Sequence, residues 1–406
     1  MKKLTTTFLT ACMIAQLMLL PVSANEKYIY KDNVKANNMP ERIMLSDFCN
    51  NSRLQSDGSG YVLAISEDDL YNVEVPDETL ALSLNNFLED NGIVLLYTDS
   101  KWTSNVFDEL LDLPVCADLQ IEQPTDAVDE PGVDVATLYY RKNGKVATHT
   151  LNVSNSTEID VNPYIDELIA KTASVEHGRP TTYTVSAIPD KDTPKCTWVT
   201  TKSYSIVREP YGKVTVDYDF YTANNFQAKN FFLIYPTIEG NSGFAMRKTS
   251  GNSNYDAQYK AKSLAAKVST STSFASITDY SPKRTIGETD VGYTISLQIG
   301  SGDSAISIGN TFTKKIYDTK VTVSKGTNSV NWNSTYSGTA KEAASEFCPA
   351  IMFATDSNKT SIQTTGSLDY TVTDGGLAGI GATTKTLSDS RTFTFNLSSV
   401  RQGVQK

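Results

Sequence analysis

The stretch from Ile277 to Tyr336 reads ITDYSPKRTIGETDVGYTISLQIGSGDSAISIGNTFTKKIYDTKVTVSKGTNSVNWNSTY, and its middle decides the fold. On the first arm Val291, Tyr293, Ile295, Leu297 and Ile299 are apolar, while Asp290, Gly292, Thr294, Ser296 and Gln298 are polar or bare. Strict period-two alternation is the pattern of a strand with one oily and one wet side. Gly300-Ser-Gly-Asp-Ser304 follows, a cluster of turn residues. On the return arm Ile306, Ile308, Phe312 and Ile316 share one face, interrupted by Asn310 and Lys314, and Ser307, Gly309, Thr311 and Thr313 share the other. The expectation is a long two-faced hairpin, about 285–319.

Each arm is long enough to cross a bilayer as a tilted strand, which takes about 9–11 residues with alternating faces. An open hairpin cannot sit in lipid with unpaired edges, so a membrane role requires several copies that close a barrel. The same alternation also fits an ordinary hairpin lying on a soluble sheet. The wet face is small and rich in Gly, Ser and Thr where a solvated surface usually carries more Lys and Glu.

Outward from the hairpin, the chain of 406 residues suits two or three domains. Tyr 21 and Phe 15, with abundant Thr and Ser, favour β structure. No apolar run of 18 residues occurs beyond the N-terminus. Lys2 and Lys3 precede an apolar run that ends at Val22-Ser-Ala24, so residues 1–24 read as a secretion signal cleaved after Ala24. Cys49, Cys116, Cys196 and Cys348 remain, an even count that makes them candidates for disulfides in an exported chain. Cys49–Cys116 is the simplest pair, with Cys196 and Cys348 paired or unpaired.

Charge divides the chain. Residues 25–178 hold 28 acids and 10 bases, a net −18; residues 179–406 hold 18 acids and 24 bases, a net +6; Lys2 and Lys3 bring the total to −10. An acidic half of this kind can mask a basic half from anionic surfaces.

Residues 25–178 read as a small α/β unit. Tyr61–Ile65 and Ile93–Tyr97 are apolar enough for buried strands, with helical spacing over Thr79–Leu88 and near Asn105–Leu113. Ala136–Tyr140 and Val146–Val153 flank Lys142-Asn-Gly144, a hairpin signal. Gln123–Val133 reads as an exposed loop and Ile165–Ala173 as a closing helix. The junction Ser174-Val-Glu-His-Gly-Arg-Pro180 is a linker in which Lys171 and Arg179 are candidate processing sites, although Pro180 hinders cleavage after Arg179. From Thr181 onward short strands recur at the spacing of an all-β sandwich: Tyr183–Ala187, Lys202–Ile206, Lys213–Phe220, Phe231–Tyr235 and Phe244–Arg247 before the hairpin, and Ser329–Tyr336, Phe347–Phe353, Ser361–Tyr370 and Arg391–Leu397 after it. Tyr255–Val268 fits either a helix or a strand.

Asp279-Tyr-Ser-Pro-Lys283, the two-faced hairpin and Asn331-Trp332 resemble the stem region of the leukocidin/haemolysin superfamily of β-barrel pore-forming toxins. Three later stretches resemble that family's closing strands in order: Phe347-Cys-Pro349, the strand ending Asp369-Tyr370, and Thr392-Phe-Thr-Phe395. In layout the chain is similar to the Vibrio cholerae cytolysins, a pro-domain followed by a cytolysin domain. The resemblance implies a small α/β pro-domain over 25–178 and, over 179–406, a leukocidin-like sandwich with a pre-stem hairpin. It further implies a secreted toxin that assembles as a homo-oligomer ring on the lipids or a receptor of a target membrane. Val291, Tyr293, Ile295, Leu297, Ile299, Ile306, Ile308 and Phe312 would then face lipid. Thr294, Ser296, Gln298, Ser307, Thr311 and Thr313 would line the pore. One departure stands out. The family places a long aromatic rim before the Phe-x-Pro strand, and here only Ser337–Glu346 occupies that position, so its headgroup site does not carry over.

Enzyme signatures are missing from the sequence. The two histidines are His149 and His177, and no His-Glu-x-x-His, Gly-x-Ser-x-Gly or phosphate-loop pattern occurs. The expectation is a non-enzyme with no cofactor, no metal and no nucleic-acid partner. Asp108 and Glu109 read as solvated helix charges. The competing reading is a secreted, non-lytic adhesin or surface-binding β-protein whose hairpin only decorates a sandwich.

Overall fold

The computed structural model describes residues 41–50, 60–66, 77–97, 101–118, 132–154, 159–173, 196–226, 228–287, 291–299, 306–315, 318–375 and 381–398. Ala24, Arg179, the strand expected over 183–187 and most of the 123–133 loop lie outside these residues.

The N-terminal half alternates strands and helices: β1 (Glu41–Met44), α1 (Leu45–Asn50), β2 (Tyr61–Ile65), α2 (Asp77–Glu89), β3 (Ile93–Tyr97), α3 (Lys101–Leu110), β4 (Val115–Asp118), β5 (Gly132–Lys142), β6 (Lys145–Ser154) and α4 (Asn162–Ala173). β1, β2 and β3 pair in parallel, and β5 and β6 form the expected hairpin. Its turn places Asn143 at φ 52° and Gly144 at φ 75°, the left-handed pair that Asn-Gly tolerates. Helices cover both faces. Leu84, Phe87, Leu88 and Phe107 pack on one side, and Tyr164, Ile165, Leu168 and Ile169 on the other.

Among the described residues the second half is mainly β, with one α-helix and a 3₁₀ turn at Gly338–Glu342. Its strands are β7 (Thr197–Arg208), β8 (Gly212–Phe226), β9 (Lys229–Ser242), β10 (Lys260–Thr270), β11 (Ser276–Ser281), β12 (Val291–Ile299), β13 (Ile306–Lys315), β14 (Thr319–Lys325), β15 (Ser329–Tyr336), β16 (Ser345–Phe347), β17 (Ala350–Asp356), β18 (Ser361–Thr373) and β19 (Thr384–Asn396). The segment Phe244–Arg247, expected as a strand, is instead part of helix α5 (Gly243–Ser250). The Ser242 hydroxyl caps it by accepting from the Ala245 N–H at 3.4 Å, and Gly251 closes it at φ 66°. These caps outweighed the short apolar run. Tyr255–Val268 resolves to strand from Lys260 onward.

Two sheets result. The first runs β1-β2-β3-β5-β6-β7-β8-β9-β17-β11, with β16 also on β9, and is continuous from the acidic half into the basic half. The second runs β14-β15-β10-β18-β19-β4. They face each other across a core that includes Phe220, Phe232, Ile234 and Phe353 from the first sheet and Leu264, Trp332, Tyr370, Phe393 and Phe395 from the second. Glycine permits the closest approach. A Cβ on Gly366 would stand 2.5 Å from the Tyr218 ring.

No disulfide joins the four cysteines, which corrects the expected pairing. Cys196 precedes β7 at the level of Ala354, as the registers Thr197↔Thr222↔Phe232↔Phe353 set it. Cys348 therefore lies three strand spacings and about six rungs away, on the order of 20 Å, far beyond disulfide reach. Cys49 sits on α1 beneath β2, whereas Cys116 sits on β4 in the other sheet, where its thiol donates to the Leu113 carbonyl at 3.4 Å. Burial pushes the Cys116 and Cys196 thiols up to about 12, so neither is a nucleophile at neutral pH.

Candidate functional site: a hairpin stowed on a sheet

The two arms anticipated in the sequence form an antiparallel pair of their own. Its register sets Tyr293 opposite Phe312, Leu297 opposite Ile308 and Ile299 opposite Ile306, with Ile295 opposite Asn310. Thr294 faces Thr311, Ser296 faces Gly309 and Gln298 faces Ser307 across the ladder. Apolar positions therefore meet apolar positions and polar meet polar, except at Asn310. A register shift past Tyr293 brings Val291 opposite Lys315 and leaves Thr313 in the irregular stretch. Residues 300–305 of the turn lie outside the described residues.

The hairpin has a root and a resting place. At the root, Ile286 and Val321 exchange both backbone hydrogen bonds, at 2.9 and 3.0 Å, and both side chains are buried in the sandwich core. At rest, Leu297 and Ile299 are buried in a cluster with Tyr221, Phe231, Leu233, Tyr235 and Met352. Those residues alternate with the sandwich core along β8, β9 and β17, so they belong to the outer face of the first sheet. The run Phe231-Phe-Leu-Ile-Tyr235 is continuously apolar because β9 is covered on both faces, by the second sheet on one and by the hairpin on the other.

A carboxylate ties the hairpin down. The Gln298 N–H donates to Asp279 Oδ2 at 2.6 Å, and Lys283 Nζ stands 2.7 Å from Asp279 Oδ1. Asp279 sits at a bulge in β11 and is only 6% exposed. A charged acceptor on a backbone donor makes a strong bond. Nearby, the Trp332 indole N–H donates to the Pro282 carbonyl at 3.3 Å, so the Asp-Tyr-x-Pro-Lys motif and the Trp strand meet at the hairpin base.

The acidic half grips both sheets. β6 pairs in parallel with β7, from Thr148↔Lys202 to Val153↔Val207, and β4 pairs with β19. Buried ion pairs pin these seams. Arg391 on β19 binds Asp134 on β5 through both terminal nitrogens, at 2.5 and 2.8 Å, and Asp389 through Nε at 2.8 Å. Lys202 Nζ binds Asp108 Oδ2 at 2.8 Å with both side chains buried, so Asp108 is no solvated helix charge. At the far end of α4, Tyr164 donates to Glu209 and lies 2.9 Å from the Tyr255 hydroxyl. Sequence gave no sign of these partners, because a buried Asp and an exposed one look alike until its counter-ion is placed. The candidate processing residue Lys171 is exposed in the last turn of α4.

Among the described residues no cluster of His, Cys, Asp and Glu could hold a metal ion, and no helix is long and apolar enough to cross a membrane, which says nothing of strands. No family model matches the chain, and no curated protein does. Solved structures similar to it include Clostridium perfringens delta-toxin, at 13% identity and a TM-score of 0.33 over 52% of this chain and 93% of that one. A second is a pore forming protein, at 11% identity and a TM-score of 0.31 over 53% of this chain and 96% of that one.

Proposed function

We propose that this chain is a secreted β-barrel pore-forming toxin of leukocidin-like fold, a cytolysin that acts by insertion and performs no covalent chemistry. The observation that carries the reading is the stowed hairpin. A long antiparallel pair, polar on one side and apolar on the other, rests on a sheet face that is itself apolar, and is tied there by Asp279.

In this reading the acidic half is a pro-domain. It covers one edge of each sheet, β7 through β6 and β19 through β4, which are the edges a neighbouring protomer would need. Once it is displaced, protomers associate as a ring on a target membrane, through its lipids or a surface receptor. Each hairpin, about residues 285–319, swings out from its Ile286–Val321 root, and the hairpins pair edge to edge into a barrel. Val291, Tyr293, Ile295, Leu297, Ile299, Ile306, Ile308 and Phe312 face lipid; Thr294, Ser296, Gln298, Ser307, Thr311 and Thr313 face water.

The test is dye release from liposomes and red cells, with and without limited trypsin, alongside a search for SDS-resistant oligomers. Release that depends on proteolysis is the expected result. A protein that stays monomeric and releases nothing on any membrane would overturn this reading and favour the adhesin.

A further inference from the structure

Since the hairpin is fixed at Ile286–Val321, it can leave the sandwich only from that end. The registers say which other residues share it. Thr319 pairs with Tyr336, Lys260 with Thr373, and Lys385 with Val372, so the start of β14, the start of β10, the end of β18 and the start of β19 lie together. Gly212 pairs with Ser242, and Gly240 packs against Tyr370, which brings the β7–β8 turn and α5 to the same end.

This end carries aromatic rings with lysines over them. Lys248 and Lys260 stand 5.8 and 5.1 Å from the Phe244 ring centroid, and Lys385 stands 5.3 Å from that of Tyr211. Tyr211 and Tyr259 meet edge to face at 4.9 Å. The three rings are half-buried, and Arg247 and Lys248 are exposed. Lys260 is paired with Glu342 at 2.5 Å, but among the described residues no carboxylate lies within ion-pair distance of Arg247, Lys248 or Lys385. The nearby acids are engaged otherwise: Glu209 with Tyr164 and Asn254, Asp256 with the Gln258 N–H, and Asp374 with the Thr383 N–H.

We infer that this face, built from α5, the β7–β8 turn and Lys385, docks on an anionic phospholipid surface and sets the hairpin root at the membrane. Half-buried Tyr and Phe suit the headgroup layer, and cations with no carboxylate at ion-pair distance add attraction to anionic lipid, although Arg247 also donates to the Tyr255 carbonyl at 3.2 Å and Lys248 feels Glu342. None of these residues lies in the short Ser337–Glu346 segment. The proposal rests on the pore-forming reading for its purpose but makes a separate demand, namely binding.

The opposite end supplies the control. Phe274 is 48% exposed there, with Lys359 at 5.2 Å from its ring. Co-sedimentation would compare phosphatidylcholine vesicles with vesicles containing phosphatidylserine, using the full chain before and after limited trypsin. Wild type should bind the phosphatidylserine vesicles, and Lys248→Ala with Lys385→Ala should weaken binding at least tenfold, at about fivefold per lysine. Phe274→Ala with Lys359→Ala should bind as wild type. Unchanged melting temperatures would show that the variants fold. Equal binding to both vesicle types, retained binding in the Lys248/Lys385 variant, or loss in the Phe274/Lys359 variant would each overturn the inference. Wild-type binding without dye release would leave docking standing and remove the pore.

Discussion

The two sheets of the sandwich treat their outer faces differently. In the second sheet β15 and β18 alternate cleanly, with Val330, Trp332, Ser334 and Tyr336 inward and Asn331, Asn333 and Thr335 outward. In the first sheet that rule fails: Tyr221, Phe231, Leu233, Tyr235 and Met352 point away from the shared core and are nonetheless buried. The difference teaches that lost alternation marks a covered face. Here the cover is part of the same chain, and its own apolar residues Leu297 and Ile299 are buried against that face.

The strongest way to break the comparison is to spoil the cover. Leu297→Asp places a charge both under the stowed hairpin and on the face assigned to lipid. Dye release should fall at least a hundredfold while the protein is still exported, and release at wild-type level would sink the stem assignment. A truncation on each outer face sharpens the contrast. Leu233→Ala, on the covered face, should cost about 2–5 kcal/mol in chemical denaturation. Asn333→Ala, on the open face, should stay within about 0.5 kcal/mol. Equal costs would mean that the hairpin does not cover the first sheet in solution.

The comparison extends to the sheet edges. His149 on the covering strand β6 sits 2.9 Å from the Ser205 hydroxyl on β7, and burial holds its pKa down at about 4 against the opposing pull of Asp217, with Lys171 and Lys213 lowering it further. An imidazole that titrates near 6.5 when unfolded destabilises the fold as pH drops from about 6.5 to 4, by about 3 kcal/mol once both forms are protonated. Thermal melts should show this loss, and His149→Gln should flatten it. An unchanged slope would assign the pH dependence elsewhere. A further change is at the tie. Asp279→Ala leaves the Gln298 N–H without its acceptor, at about 1–3 kcal/mol. Faster hydrogen exchange at Gln298 and a lower trypsin requirement for release should follow, and an exchange rate like that of wild type would show the tie to be dispensable.

Local patterns were legible where one local cause dominates. Tyr61–Ile65, Ile93–Tyr97 and Ser329–Tyr336 match the strands end to end, since each is either continuously apolar or strictly alternating between turn residues. Short elements were not legible. β1 and β4, with four residues each, are too short for a period, and β4 is a strand only because β19 offers it an edge. Helix α5 was hidden because its short apolar segment Phe244–Arg247 fits a strand, and its ends are set by the Ser242 and Gly251 caps.

Sequence by itself determined the two-faced hairpin, the β-rich second half, the α/β first half and the split of charge between them, because periodicity and composition are properties of neighbours along the chain. Only the tertiary structure decided where the hairpin rests, that Asp279 holds it, and that Asp134 and Asp108 meet Arg391 and Lys202 across the two halves. Those contacts join residues far apart in the chain, and a carboxylate carries no mark of its partner until folding brings the two together.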